Sequence, residues 1–318
     1  MDSLDTAANN ILKVCMGLNK SESFLVVYDR NKKDIAEIIL EKANKICKTA
    51  SKIETKVGKV SGEEPPNDIA KEIKKYDVVV MVTTKSLSHT DARRNACKNG
   101  TRVASMPGIS IDMMKRTLTA DYSKIKKKNE KIRRVFQKGN KLRLVTAKGS
   151  DLIMYLNNEL FNDDGFYHKK GDFGNLPAGE VGFAPVEGKT SGVVVIDESM
   201  AGFGKLNENM IMEIEKGFVK NITGGKKTKE LVKLLKKFKD KNVYNIAEFA
   251  IGTNYKAKIT GKILEDEKVD GTVHIAIGDN SSFGGGKTNA PVHLDGVISK
   301  PTVFVDGKKI MDNGRLLL

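Results

Sequence analysis

Two of the four histidines in the sequence flank a glycine-rich segment, GDNSSFGGGKTNAPVHLD at residues 278–295. In the preceding run GTVHIAIGD, the alternation of a β-strand would place the apolar side chains on one face and His274 on the other. In PVHLDGV, His293 and Asp295 lie two residues apart and therefore share a face. Two strands joined by a flexible loop could thus bring two imidazoles and one carboxylate to a common point, as a metal site requires.

Two further acidic residues stand in unusual surroundings. Glu248 lies within the otherwise apolar run NIAEFAIGTN, and a buried carboxylate is costly unless it is paired, hydrogen-bonded or bound to a metal. Glu180 follows NLPAG at a predicted tight turn and precedes an apolar run. Each residue alone has an ordinary explanation: Glu180 could cap a turn, Glu248 could pair with a lysine, and His274 could be a hydrogen-bonded core histidine. Taken together, these residues favour a metal site.

The glycine-rich segment also comes close to a phosphate-binding loop, whose pattern is GxxxxGK[ST] between a strand and a helix. In SSFGGGKT, however, Ser281 occupies the position of the first glycine. After Thr288, a proline and a β-like run replace the helix that the motif needs. The segment is therefore predicted to connect two strands and not to bind a nucleotide.

The pattern of apolar and polar residues divides the chain into two parts, which contain the elements that must position these residues. Over residues 1–122, apolar runs such as FLVVYD and DVVVMVTT alternate with helical patterns such as DIAEIILEKANKICK, which predicts an α/β (Rossmann-like) domain with a doubly wound parallel sheet. Over residues 123–318, a lysine-rich helix at 123–136 precedes short β-runs separated by glycine, with further helices predicted at 206–217 and 226–240. This second domain is predicted to be α+β and to carry the metal site.

Composition argues against several classes of partner. The formal net charge is +15, but most basic residues are lysines spread over solvated faces, as in KKTKELVKLLKKFKDK, and no interleaving of aromatic residues suggests base stacking. We therefore expect no specific nucleic-acid partner. The three cysteines form no CxxC pair and the first residues do not resemble a signal peptide, which favours the cytoplasm. The longest strongly apolar runs are strand-sized, far below the ~20 residues of a membrane helix, so no membrane partner is expected.

Several stretches resemble the aminopeptidase T and aminopeptidase S family of metallopeptidases. They are SLSHTDARRNACKNGTRVASMPGI, GSDL, NLPAGEV, AEFAIGTN, EDEKVDGTVHIAIGDN and HLDGV, in the family's order and over nearly the whole chain. The resemblance implies a two-domain architecture, a homodimer and a paired-metal site with the ligands Glu180, Glu248, His274, His293 and Asp295. The family's usual tyrosine after the strand histidine is missing, and Ser281 lies nearest to its position.

A paired-metal site of this kind predicts an aminopeptidase-like hydrolase that acts on a peptide or another small molecule. Two divalent ions (zinc, cobalt or manganese) would lower the pKa of a shared water toward ~7 and polarise the scissile carbonyl. Glu248 would be the catalytic residue, because it would bridge the two ions or assist the water. Two other functions stay open beside this one.

The first alternative is a non-haem Fe(II) ring-cleaving dioxygenase, because His274, His293 and Asp295 alone form a two-histidine, one-carboxylate set. The 2,5-dihydroxypyridine ring-opening dioxygenases resemble the same peptidase family, so the fold does not separate the two chemistries. Such a site would not need Glu180 or Glu248. The second alternative is a non-enzymatic module that binds an anionic partner through its basic surface and needs no metal. Of the three functions, the full set of five ligands favours the hydrolase.

Overall fold

The structure is a computed structural model that describes residues 3–318, and the chain divides into two compact units. The first unit runs to Ser123 and also takes in Asp163–Ala178, while the second comprises Lys124–Asn162 and Gly179–Leu318. The candidate ligands named above all belong to the second unit.

The strands are numbered in chain order. They are β1 (Ser23–Asp29), β2 (Thr49–Thr55), β3 (Val78–Val82), β4 (Arg102–Ser105), β5 (Lys141–Val145), β6 (Asp151–Tyr155), β7 (Leu160–Asp163), β8 (Phe173–Asn175), β9 (Glu180–Phe183), β10 (Ser191–Ile196), β11 (Ser199–Met200), β12 (Gly204–Lys205), β13 (Met210–Glu215), β14 (Phe218–Gly224), β15 (Ile246–Gly252), β16 (Val273–Gly278), β17 (His293–Ile298), β18 (Thr302–Val305), β19 (Lys308–Asp312) and β20 (Arg315–Leu316).

The α-helices are numbered in the same way. They are α1 (Ser3–Asn9), α2 (Lys33–Asn44), α3 (Asn67–Glu72), α4 (Asp91–Lys98), α5 (Ile111–Thr117), α6 (Tyr122–Phe136), α7 (Lys226–Lys237) and α8 (Ile263–Asp266). A π-helical segment follows α1 at Asn10–Cys15, and short 3-10 turns lie at Arg30–Lys32, Ile73–Lys75 and Lys241–Tyr244. In the part of the chain that the structure describes, no helix combines the length and the apolar character that crossing a membrane would require.

The first unit contains a parallel sheet with the strand order β2-β1-β3-β4-β8. Strand β3, from the run VVVMV, is buried along its whole length, as expected for a parallel strand that is covered on both faces. Helix α2 is amphipathic, and its buried side chains include Ile35 and Ile39. The doubly wound parallel-sheet domain predicted from the sequence is confirmed.

The segment Asp163–Ala178 differs from the predicted division, which assigned everything after residue 122 to the second domain. It groups with the first unit because β8 extends the parallel sheet, with Val103 of β4 opposite Phe173. Strand β8 is only three residues long, FGN, and has no apolar run of its own. Its pairing therefore depends on a contact with β4, which the local sequence pattern does not predict.

The second unit contains two largely antiparallel sheets, as the predicted α+β class requires. One has the order β14-β13-β10-β6-β5-β18-β19-β20, and the other has the order β12-β11-β17-β16-β15-β9-β7. The predicted helices at 123–136 and 226–240 correspond to α6 and α7. The helix predicted over 206–217 is wrong, because MIMEIE alternates between buried and exposed residues with period two and forms β13.

The core of the second unit lies against one face of the second sheet. Phe183 of β9 and Phe249 of β15 lie opposite each other in the strand ladder, and both rings contact Phe136 of α6, with centroid distances of 5.4 and 6.2 Å. Because side chains alternate along a strand, the neighbouring residue Glu248 faces away from this aromatic cluster. The core thus fixes which face of the sheet carries the polar residues.

Candidate metal centre

Four neighbouring strands, β9, β15, β16 and β17, carry all five predicted ligands on one face of the sheet. Glu248, Ala276 and Asp295 form one row across β15, β16 and β17, and His274 lies opposite Ala250 one row further along. Glycines and alanines occupy the other positions in this part of the face, including Gly182, Ala250, Gly252, Ala276 and Gly278. Because these residues are small, the five predicted ligands are the largest side chains on this part of the sheet face.

The five side chains converge on the carboxylate of Glu248. The Nε2 atom of His274 lies 3.2 Å from Oε1 of Glu248, and Nε2 of His293 lies 2.9 Å from Oε2. His274 also lies 3.4 Å from Oε2 of Glu180, and His293 lies 3.3 Å from Oδ1 of Asp295. The structure therefore brings together every residue that the sequence singled out for the site.

The cluster contains two three-residue groups with metal-ligand spacing, and Glu248 belongs to both. Glu180, Glu248 and His274 form one group, and Glu248, His293 and Asp295 form the other, each with its ligand atoms within 4.8 Å of one another. Among the described residues, the two imidazoles do not fall in one such group, because they approach opposite oxygens of Glu248. The alternative set of His274, His293 and Asp295 is thus linked through Glu248, which the sequence reasoning had considered unnecessary.

The ring of His293 is held in a fixed orientation. Its Nδ1 atom lies 2.6 Å from the carbonyl oxygen of Asp279, so this nitrogen donates a proton and Nε2 faces the carboxylates. A histidine ligand is usually oriented in this way by a hydrogen bond from its second nitrogen. On the other side of the cluster, Oε2 of Glu180 is buried without a hydrogen-bond partner. A buried carboxylate oxygen of this kind needs a nearby positive charge or a proton donor, and the imidazole and carboxylate donors around it fit a metal.

The excess of negative charge is visible in the imidazole pKa values. Burial alone would lower the pKa of His274, but its hydrogen bond to Glu248 and the charges of Glu248, Glu180 and Asp295 raise that pKa to about 9. Burial likewise opposes the charged form of His293, but Asp295 and Glu248 raise its pKa well above the ordinary value. Without a metal, the cluster therefore holds protons on its imidazoles to balance its carboxylates.

A buried lysine lies behind Glu180. The side chain of Lys268 is only 1% exposed, and its Nζ atom lies 2.5 Å from Oε1 of Glu180 and 2.7 Å from Oε1 of Glu267. Burial raises the pKa of Glu267 to about 8, with Glu180 and Asp295 adding to the effect of burial while Lys268 opposes it. Sequence reasoning missed both residues, although the acidic and basic run EDEK lies only four residues before β16.

A polar contact from α6 positions the backbone of Glu180. Buried Asn129 donates from Nδ2 to the carbonyl oxygen of Glu180 at 3.0 Å, and its Oδ1 accepts from the hydroxyl of Thr253 at 2.5 Å. Thr253 also donates its backbone N–H to the carbonyl of Gly179 at 2.8 Å. Asn129 lies within a lysine-rich helix, where the sequence pattern indicates only a solvated face, so this contact was also missed.

The glycine-rich segment connects β16 to β17, and no helix follows it. The hydroxyl of Ser281, nearest to the position of the peptidase tyrosine, bonds to the carboxylate of Asp279 at 3.0 Å. Further along, Glu187 accepts from the backbone N–H of Lys287 at 2.9 Å and from the hydroxyl of Thr288 at 2.8 Å. The strand that follows the loop lacks the helix N-terminus of a phosphate-binding motif.

The fold and the cluster define a class: two-unit α/β proteins with an imidazole and carboxylate site on an antiparallel sheet. Within that class, the chain belongs to the 2,5-dihydroxypyridine 5,6-dioxygenase (NicX) family, whose model matches residues 22–318. A curated relative, the 2,5-dihydroxypyridine 5,6-dioxygenase of Pseudomonas putida, is 26% identical over 254 residues, which cover 73% of this chain and 69% of the relative.

Two solved structures share the fold. The structure of 2,5-dihydroxypyridine dioxygenase from Pseudomonas putida KT2440 matches with a TM-score of 0.86 and 20% identity, over 99% of this chain and 96% of that one. Wild-type AmpT from Thermus thermophilus matches with a TM-score of 0.71 and 18% identity, over 99% of both chains. At these identities, each likeness shows the fold alone.

These comparisons correct the function predicted from the sequence. The aminopeptidase-like hydrolase is wrong, because the family and the curated relative are dioxygenases. The resemblance to the aminopeptidases holds for the fold, as AmpT shows. Several of the stretches that carried it, among them NLPAGEV, AEFAIGTN and HLDGV, lie in the sheet of the polar cluster, and such a frame can serve either chemistry. Two parts of the prediction still hold: the chain belongs to a family of enzymes, and the predicted imidazole and carboxylate donors lie together in the structure.

Proposed function

We propose that this protein is an Fe(II)-dependent dioxygenase that opens a hydroxylated pyridine-type ring. The observation that carries the proposal is the cluster around Glu248, in a chain that belongs to a family named for that reaction. Imidazole and carboxylate donors with open positions are typical of non-haem Fe(II) oxygenases. The curated relative is named for 2,5-dihydroxypyridine, which makes that compound the first substrate to test.

The residues proposed to hold the iron are His274, His293 and Asp295, with Glu248 between the two imidazoles. When bound, Fe(II) would bring a ring hydroxyl and O₂ to one centre and carry electrons from the ring to the oxygen. The hydrogen bond from His293 to Asp279 keeps the Nε2 lone pair directed at the cluster. A dioxygenase places both atoms of O₂ in its product, so the reaction needs no external reductant.

Glu180 is proposed to accept the proton that a ring hydroxyl must release. Its Oε2 atom is the buried carboxylate oxygen of the cluster that has no hydrogen-bond partner. Its Oε1 atom is bonded to the ammonium of Lys268, so Oε2 is the oxygen left to take a proton. The hydrogen bond from Asn129 holds the main chain of Glu180, from which this carboxylate extends.

Charge balance supports one divalent ion in place of the predicted pair. The carboxylates of Glu180, Glu248 and Asp295 carry three negative charges, which one divalent ion and the ammonium of Lys268 would neutralise. Glu267 adds little charge at neutral pH, since burial raises its pKa to about 8. The zinc, cobalt or manganese pair expected for a hydrolase would leave the cluster with a surplus of positive charge.

The test is reconstitution of the metal-free protein with ferrous iron in the absence of oxygen. On addition of 2,5-dihydroxypyridine and oxygen, we expect one O₂ consumed for each ring lost, with the ring measured by its ultraviolet absorbance. His293→Ala should abolish both signals, whereas His168→Ala, which removes an exposed histidine of the first unit, should leave them intact. Iron-loaded protein that binds the ring but consumes no oxygen with any hydroxylated pyridine would refute the proposal.

The homodimer and the lack of a specific nucleic-acid partner stay predictions. Size-exclusion chromatography with light scattering would measure the first. For the second, any affinity for duplex DNA should fall steeply with salt and show no sequence preference, because it would depend on counterion release. Sequence-selective binding at physiological salt would contradict the expectation.

A further inference from the structure

An aromatic residue of the glycine-rich segment covers one of the proposed ligands. The ring of Phe283 stacks on the imidazole of His293, with centroids 5.3 Å apart and an angle of 28° between the planes. On another side, Phe283 contacts Phe161 of β7 at 5.2 Å with a tilt of 51°. All three residues lie in the second unit, and the proposed reaction has so far required nothing of Phe283.

The stack lies where the cluster is most open to water. The side chain of His293 is 24% exposed, whereas that of Glu248 is 5% exposed and that of His274 is 1% exposed. A ligand that water can reach is the one at which a chelator or a competing donor would begin to displace a metal. Phe283 covers part of this ligand with an apolar ring, which lowers the access of water to the imidazole.

The backbone of the loop holds Phe283 in this place. Its N–H donates to the carbonyl of Asn280 at 2.9 Å, and its carbonyl accepts from the N–H of Gly286 at 3.1 Å. The buried Asn280 in turn accepts, through Oδ1, from the N–H of Thr288 at 2.8 Å. The ring is therefore carried by a hydrogen-bonded turn and not by an unsupported tip.

The glycines explain why this turn can fold so tightly and pack so closely against Glu159, the residue before β7. A Cβ atom on Gly284 would lie 2.6 Å from the Cβ of Glu159, and one on Gly286 would lie 2.1 Å from the carbonyl oxygen of Asn280. Any larger residue would push the loop outward and lift Phe283 from His293. The triple glycine next to Phe283 thus serves a close approach, which gives the motif a physical role other than phosphate binding.

We infer that Phe283 is a positioning residue of the metal centre: it fixes the plane of the His293 imidazole and retards the loss of the metal through the exposed side of the site. The inference rests on the proposed function insofar as His293 must be a ligand. Two constraints then act on His293 together, the hydrogen bond from Nδ1 to Asp279 and the stack on the ring face. The first sets the tautomer, and the second sets the ring plane.

The test uses cobalt(II) as the probe, because its visible spectrum reports the geometry of its ligands. Cobalt-loaded protein is mixed with excess EDTA, and the loss of the spectrum is timed for the wild type, Phe283→Ala, Phe283→Tyr and Phe304→Ala. Phe304 is a partly exposed phenylalanine of β18, in the other sheet of the same unit, and serves as the matched control. Phe283→Ala should lose cobalt about three- to tenfold faster, or about 0.7–1.4 kcal/mol at 1.36 kcal/mol per tenfold, as expected for one aromatic stack.

Phe283→Tyr, which keeps the ring, should restore the slow loss and the wild-type spectrum, and Phe304→Ala should match the wild type. Equal rates for wild type and Phe283→Ala, or equal acceleration in the alanine and tyrosine variants, would overturn the inference. A metal-free arm measures the imidazole carbon-bound protons of His293 by NMR, which the stacked ring should shift upfield in the wild type and not in Phe283→Ala. An absent shift would also overturn the inference.

The inference and the proposed function can fail separately. Slow, Phe283-dependent cobalt loss in a protein that shows no oxygen uptake with iron would refute the dioxygenase and leave the inference standing. Oxygen uptake in a protein that loses cobalt at the same rate with and without Phe283 would refute the inference alone. A protein that binds neither metal would refute both.

Discussion

Replacing Glu248 with glutamine removes the charge on which the whole cluster converges while keeping the shape of the side chain. In the metal-free protein, this carboxylate lies 3.2 Å from one imidazole nitrogen and 2.9 Å from the other, and it is almost fully buried. Both imidazoles have raised pKa values, in part because of Glu248, so they are expected to be charged at neutral pH. Glu248→Gln would leave them with fewer compensating charges.

The magnitude follows from the cost of breaking a buried ion pair. Removing one partner of such a pair typically costs about 3–5 kcal/mol, because it leaves a buried charge uncompensated. Part of this cost would be relieved if an imidazole released its proton, so the lower end of the range is the expected value at pH 7. An exposed carboxylate changed in the same way, Glu213→Gln on β13, should alter stability by no more than about 0.5 kcal/mol.

The assay is amide hydrogen exchange of chelator-treated protein, followed by mass spectrometry of peptides from Ile246–Gly252 and Val273–Gly278. These strands carry Glu248 and His274, so their exchange reports the local stability of the sheet that holds the cluster. Exchange in both peptides should become about a hundredfold faster in Glu248→Gln, as a loss of about 3 kcal/mol requires. A change below fivefold would refute the assignment of Glu248 as the charged centre of the metal-free cluster.

Three further predictions concern the same face of the sheet. Metal binding at pH 7 should release about two protons, because the pKa of His274 is raised to about 9 and that of His293 is also raised, and calorimetry in buffers of different ionisation enthalpy would count them. Lys268→Met should lower the free energy of unfolding by about 3–5 kcal/mol in urea titrations, since Glu180 loses its buried ammonium partner. Asn129→Ala should cost about 1–3 kcal/mol in the same titrations, because it leaves the carbonyl of Glu180 without this buried donor.

Each of these three predictions has a result that would contradict it. Apparent metal affinity should rise with pH until His274 loses its proton near its pKa of about 9. An affinity that does not change with pH would show that protons do not compete with the metal for the imidazole nitrogens. Lys229→Met on the exposed face of α7 is the control for Lys268, and equal losses would mean that the buried pair contributes nothing particular. An Asn129→Ala protein as stable as the wild type would show that water replaces the amide.

The fold could be predicted largely from local patterns. The run VVVMV and its neighbours, alternating with amphipathic helices, indicate a parallel sheet, and β3 lies in the middle of one. The helix predicted at 206–217 failed because its apolar residues were read with a helical period, although MIMEIE alternates strictly. The short strand Phe173–Asn175 could not be predicted, because its place in the first sheet depends on β4, far away in the chain.

The members of the cluster could be predicted from residue type, but its architecture could not. A glutamate in an apolar run and two histidines around a loop are visible in the sequence, and the structure brings them together. That Glu248 lies between the imidazoles depends on the register of β15 and β16, where a β-bulge shifts the pairing next to Glu248. Lys268, Asn129 and Phe283 reach the site through contacts between distant elements, which no spacing rule records. Whether the imidazoles and carboxylates of the cluster bind a metal stays a prediction.

The closure of the loop between β16 and β17 has a consequence for how the family can diversify. The loop is pinned at its base, where Gly278 pairs with His293 and Asp279 donates to the carbonyl of Val292 at 2.7 Å. Residues inserted or deleted beyond this pin would change the length of the loop without changing the strand register. A single residue inserted within β17 would instead turn Asp295 to the opposite face of the sheet. Descendants of this chain can therefore gain or lose residues in the loop outside the turn that holds Phe283, while the strands beneath it accept almost no insertions or deletions.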